Sequence, residues 1–224
     1  MKWSELFTSS IGKKWVMALT GIFLILFLIV HVSLNATIWA NDGGKMFEAG
    51  AHFMGSNVVP RILEVGLMLG ILLHIVQGIM LEIQNRSKRK KGYAVAMGNK
   101  GSKWYSRSMG LLGTIILLFL IMHFIHFWIP NRSNQGWLLG PEISLYEKMK
   151  EVFQVNWVVV LYVLGCISLA WHLLHGFQSA FQTFGWNHKK YFPLIQKIGT
   201  LYALIMAIGF ASMPVYFFFF YGGN

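Results

Sequence analysis

Eight histidines occur in the chain, and six of them fall inside long apolar runs: His31, His74, His123, His126, His172 and His175. An imidazole in lipid is costly unless it bonds to something, so intramembrane histidines are functional candidates by default. Each neutral ring offers one lone pair to a metal and one N–H to a hydrogen-bond acceptor. Depth is counted from the end of each run that charge places outside, at about 1.5 Å per residue. On that scale His31 lies roughly 13 Å and His123 roughly 10 Å deep, while His74 and His172 lie roughly 21 and 24 Å deep. Two histidines therefore share an outer layer and two share an inner layer, and the members of each pair come from different helices. Two six-coordinate haems, each iron held by two neutral imidazoles, need that arrangement.

Small residues extend the pattern. Gly78 follows His74 by four positions in HIVQG, and Gly176 follows His172 by four in HLLHG. Four residues is about one turn, so each glycine shares a face with its histidine and leaves room for a flat macrocycle. His126 and His175 each follow a proposed ligand by three residues. They read as hydrogen-bond partners of a propionate, a quinone or a neighbouring helix, with ligation as the alternative. His52 and His188 read as ordinary loop residues, and the run 217–220, four phenylalanines, reads as lipid-facing.

Two places are candidates for quinone and proton chemistry. Glu64, near the outer end of its run, can exchange the proton that accompanies quinone reduction. Pairing with Arg61 is the competing role. Ser106, Arg107 and Ser108 stand in KWYSRSMG, where the third run leaves the inner face; they can anchor a propionate, a quinone carbonyl or a partner subunit. Plain positive-inside anchoring accounts for Arg107 nearly as well. Glu82, close to the inner interface, reads as solvated.

The elements that must position these residues follow from composition. Of 224 residues 55% are hydrophobic and only 12% charged, well below the roughly 25% that a soluble domain carries. The single cysteine, Cys166, excludes an internal disulfide and a cysteine-ligated cluster. Five apolar runs, near 15–39, 61–83, 108–130, 156–180 and 195–221, are each long enough to cross a bilayer as a helix. None alternates as a barrel strand would. The expected fold is an all-α bundle of five transmembrane helices forming one domain over 1–224. The net charge of +11 concentrates between 86 and 107, in a loop, which argues for membrane topology rather than nucleic acid. Fourteen of the nineteen Lys and Arg residues lie on one side of the five-helix arrangement, which puts the N-terminus in the cytoplasm and the C-terminus outside.

The motifs HVSLN from His31, HIVQG from His74, MHFIHFW around His123 and WHLLHGFQSAF around His172 together resemble a known family. In order and spacing, over essentially the whole chain, they look like the single-chain di-haem cytochrome b anchor of bacterial succinate:quinone oxidoreductases, of the b558 type. The resemblance implies that His31 and His123 ligate the outer haem b and His74 and His172 the inner one. It also implies a place in the bacterial cytoplasmic membrane, with a flavoprotein and an iron–sulfur protein docked on the cytoplasmic face. Electrons would then pass through both haems to a quinone, menaquinone being the expected one. The chain would be the quinone-reducing part of complex II, with no succinate-oxidising site of its own, and a higher oligomer of the complex stays open. His126 and His175 have no required place in the family pattern.

Three alternatives remain at this level. The same architecture serves a quinol:fumarate reductase, because sequence does not set the direction of electron flow. A haem-bearing anchor of another dehydrogenase, such as a hydrogenase or formate dehydrogenase, is the second alternative, and the order of the histidines argues against it only through the resemblance. A haem-free transporter or channel, with histidines as a proton relay, belongs to a different class.

Overall fold

A computed structural model describes residues 9–88, 103–135 and 143–221. Every element among them is helical. The basic loop centred on 89–102 lies outside the described residues.

The first crossing is α1, Ser10–Ala36, continued by a 3-10 turn at Thr37–Ala40. Its orphan N–H groups are capped by Ser9, whose hydroxyl accepts from Gly12 N at 3.0 Å. A short helix α2, Lys45–Ser56, precedes the second crossing, α3, Val58–Lys88. One turn, α4, Trp104–Arg107, leads into the third crossing. That crossing is continuous but not uniform: α5, Met109–His123, passes through a π turn at Phe124–Trp128 into α6, Ile129–Gln135. A second short helix, α7, Leu145–Val152, precedes the fourth crossing, α8, Asn156–Thr183. The fifth crossing, α9, spans Phe192–Tyr221. Five helices are therefore long and apolar enough to cross a membrane, and the protein is an all-α multi-pass membrane bundle. Helices satisfy their own backbone, which is why apolar runs of this length adopt them in lipid.

The crossings run several residues past the apolar segments read from sequence, because a helix started in lipid continues into the interface where polar residues tolerate it. Packing closes four of them into a ring. α1 packs on α3 and α8, and α5 packs on α8 and α3, so α1 and α5 face each other across the ring, as do α3 and α8. The fifth, α9, stands outside, against α8 and α1. Its position is held by the Tyr202 hydroxyl, which donates to Ile25 O at 2.8 Å, and by Ile25, Leu173, Phe177, Ala203 and Met206. Across the ring wall, the Ser168 hydroxyl donates to Leu112 O at 3.0 Å.

The end of the bundle away from the basic residues is covered by the two short helices, which the apolar-run reading left as loops. Glu48 of α2 joins them: its Oε1 accepts from Ser144 Oγ and Tyr146 N, both at 2.7 Å. Gly44, at φ +86°, admits the Tyr146 ring where any Cβ would collide with it. Two expectations are corrected here. His52 lies on α2, not in a loop, although it is exposed there. Phe217 is fully buried against Tyr146 and Phe153, because α9 turns that face toward the cap; only Phe219 and Phe220 of the run are strongly exposed.

Candidate functional site

The ring topology brings the four depth-matched histidines together in two pairs, each spanning a diagonal. His31 of α1 and His123 of α5 meet with ring centroids 5.8 Å apart and planes at 85°. His74 of α3 and His172 of α8 meet at 6.2 Å and 67°. Two metal–imidazole bonds of about 2.0–2.1 Å, plus the half-width of each ring, separate centroids by roughly 6.3 Å. The second pair matches that separation and the first falls about half an ångström short.

Hydrogen bonding fixes the tautomer of one member of the inner pair. Thr20 Oγ1 donates to Val16 O at 2.7 Å, which commits its hydrogen to the backbone. Its oxygen, 3.1 Å from His74 Nδ1, must therefore accept, so Nδ1 carries the proton. The Nε2 lone pair of His74 is left for another partner, as an outer-shell hydrogen bond does for a metal-bound histidine. Opposite it, His172 Nδ1 is buried without a hydrogen-bond partner. A buried unsatisfied nitrogen costs about 1–3 kcal/mol.

Backbone room surrounds the same pair. A Cβ on Gly176 would meet nothing within 4 Å, and one on Gly78 would touch only the Met17 methyl, at 3.8 Å. Both sequence-selected glycines thus have backbone room beside them. Two more were not legible from HxxxG spacing, because they lie on the other helices: Gly21 of α1 faces His74 Cε1 and Gly113 of α5 faces His172 Cε1, at 3.8 and 3.9 Å from a built Cβ. Each of the four ring helices thus carries a glycine beside, or one turn from, a histidine of the inner pair.

Aromatic rings frame the outer pair instead. Phe27 stacks on His31 at 5.2 Å and Phe119 stacks on His123 at 5.8 Å, each from one turn earlier on the same helix. The repeated FxxxH spacing is the sequence signal that could have identified these two phenylalanines. Phe210 closes on His31 and Phe127 on His123. His123 Nδ1 is again buried and unpartnered. His31 Nε2 has only a long approach, 3.4 Å, from Asn35 Nδ2. At that length the contact is weak and can yield to a stronger partner.

The remaining candidates separate cleanly. His126 lies in the π turn that follows His123, and both rings touch Tyr162. His126 Nδ1 is 3.0 Å from the Tyr162 hydroxyl on α8, with the rings stacked, so it bonds a neighbouring helix. His175 is partly buried on α8, outside both pairs. Glu64 is enclosed: Oε2 accepts from Arg61 Nη1 at 2.5 Å, and Oε1 accepts from Trp128 Nε1 at 2.7 Å and Arg132 Nε at 2.9 Å. The ion pairing weighed against a proton role is present, and both oxygens are occupied. Glu82 pairs with Arg86 at 2.5 Å. Ser106, Arg107 and Ser108 sit where α4 meets α5; Tyr105 beside them stacks on Trp171, the neighbour of His172, at 5.6 Å. Among the described residues no cluster of three or more His, Cys, Asp or Glu side chains is disposed to hold a metal ion, so any metal here would rest on two protein ligands.

Comparison with known proteins gives no match among family descriptions, curated proteins or solved structures.

Proposed function

We propose that the chain is the cytochrome b membrane anchor of a bacterial succinate:quinone oxidoreductase, in which electrons from an iron–sulfur partner reach menaquinone by way of two bis-histidine b haems. The observation that carries this reading is the double diagonal. Four histidines selected by depth alone meet as the two expected pairs, at two levels of one ring. His74 and His172 hold the inner group and His31 and His123 the outer one, each bound b haem supplying one-electron carriage. The residues around them do the positioning. Thr20 fixes the His74 tautomer, the glycines of four helices leave the flat space, and the stacked phenylalanines hold the outer imidazoles in place. The flavoprotein and iron–sulfur partners dock on the basic, cytoplasmic face, and the anchor lies in the cytoplasmic membrane. A quinol:fumarate reductase anchor uses the same residues with the electron flow reversed.

A histidine proton relay is less well supported. A relay needs hydrogen-bonded continuity between its members, whereas the side-chain contacts of these histidines run to Thr20, Asn35 and Tyr162. A pyridine-haemochrome assay on the detergent-purified chain separates the two readings: about two b haems per polypeptide are expected. One haem would mean that one pair has been misassigned. None, in material that kept its cofactors, would overturn the cytochrome reading in favour of a transporter.

Thr20 offers a narrower check. Thr20→Val keeps the shape and removes the oxygen that His74 Nδ1–H bonds. Outer-shell changes of this kind weaken metal holding about 10–100-fold. Faster loss of one haem on dilution in detergent is expected, with the other unaffected; equal retention of both would show that Thr20 merely packs.

A further inference from the structure

The interface between α1 and α3 carries a polar seam that ends at the inner pair. Lys13 and Thr20 stand seven residues apart on α1, and Gln84 and Gln77 seven apart on α3, close to two turns in each case. Because the helices run antiparallel, Lys13 meets Gln84 where Thr20 meets His74. Lys13 Nζ donates to Gln84 Oε1 at 3.1 Å, and Thr20 lies 3.1 Å from His74. Gln77 lies between these contacts, 5% exposed, and its Nε2 has no partner. Lys13 itself is only 8% exposed. Among the described residues its ammonium forms no ion pair with a carboxylate.

The unmet chemistry has one sign. The ammonium has three N–H groups, with one bonded to Gln84, and Gln77 presents an unsatisfied amide donor. Gln77 is a buried donor with no acceptor, and Lys13 is a buried ammonium whose one acceptor is a neutral amide oxygen; burying both so is costly unless an anion or strong acceptor joins them. Gln77 is about 4.5 Å along the helix from His74, and Lys13 about 10 Å from Thr20, so an acidic arm of a group held at His74 can reach both.

We infer that Lys13 and Gln77 bind a carboxylate carried by the group held between His74 and His172. This rests on the haem reading, in which the propionates are the ionised arms of the ring. The four glycine-lined walls suit the apolar macrocycle, and the seam gives its acidic edge a route toward the basic end of the bundle. Lys13 is then a positioning residue that also tunes charge. A fixed positive charge near the inner iron favours its reduced, less positive form, so removing it favours the oxidised form.

The test is a potentiometric titration of the full chain with its haems bound, comparing wild type with Lys13→Met, Lys13→Arg and Gln77→Leu. Expected is two haems per chain in each variant, with one midpoint alone lowered in Lys13→Met. The shift should be about tenfold in the reduction equilibrium, equivalent to 59 mV for one electron. Lys13→Arg should restore it, and Gln77→Leu should lower the same midpoint less. Gln77→Leu, which leaves the charge untouched, answers the question even where Lys13→Met does not assemble. Two haems with unchanged midpoints, or an equal shift of both, would overturn the inference and leave the cytochrome reading standing. A wild-type chain without haem would overturn both.

Discussion

His172→Ala is expected to lower the haem content from about two per chain to about one, and His74→Ala to remove the same haem. Either should stop electron delivery to quinone, a loss of at least about 100-fold, since even outer-shell partners of a metal ligand are worth 10–100-fold. The double variant should lose nothing further, because two ligands of one iron act as a unit and their effects are not additive. His31→Ala and His123→Ala should remove the other haem, leaving a spectrum complementary to the first. Succinate oxidation by the assembled partner subunits, followed with a soluble electron acceptor, should persist throughout. Spectra of the four single variants decide the matter: removal of different haems by His74 and His172 would break the diagonal assignment, whatever the effect on turnover.

That assignment shows what sequence can and cannot convey in a membrane protein. Depth was legible, because helical rise converts residue number into height with few choices. The pairings His31–His123 and His74–His172 then follow from height alone, without knowing which helices adjoin. Lateral arrangement was not legible. With lipid as apolar as the side chains, nothing in five uniformly apolar runs marks which face meets a neighbour. Gly21 and Gly113 were missed for that reason, being glycines on helices whose own histidines belong to the other level. Thr20 was missed likewise, since its partner lies 54 positions away. Phe217 was misread because a run of four phenylalanines looks lipid-facing until a cap, here Tyr146 of α7, is known to cover one of them. The π turn had no sequence signal that we recognise, yet it carries His126 and its bond to Tyr162.

Glu64→Ala is expected to destabilise the protein by about 3–5 kcal/mol, the usual result of breaking a buried ion pair from one side. The carboxylate is 17% exposed, between Arg61 at 9% and Arg132 at 17%, so solvent can do little to replace it. Its bonds to Trp128 and Arg132 fasten α3 to the π turn and α6, the stretch that directly follows His123. Loss of the carboxylate should therefore be felt first at the outer pair, as a lower denaturation midpoint in detergent together with weaker retention of the outer haem alone. Glu64→Gln separates this structural role from the proton role that the sequence also allowed. The amide keeps the volume and one acceptor oxygen but cannot deliver a proton in turnover. If Glu64 serves packing, quinone reductase activity in Glu64→Gln should track the amount of folded, haem-loaded protein. If it feeds protons to quinone, activity should collapse while both haems and the denaturation midpoint stay near wild type. The geometry favours the first outcome: both oxygens already accept, from two guanidiniums and an indole, so engaging a substrate would compete with the joint they hold.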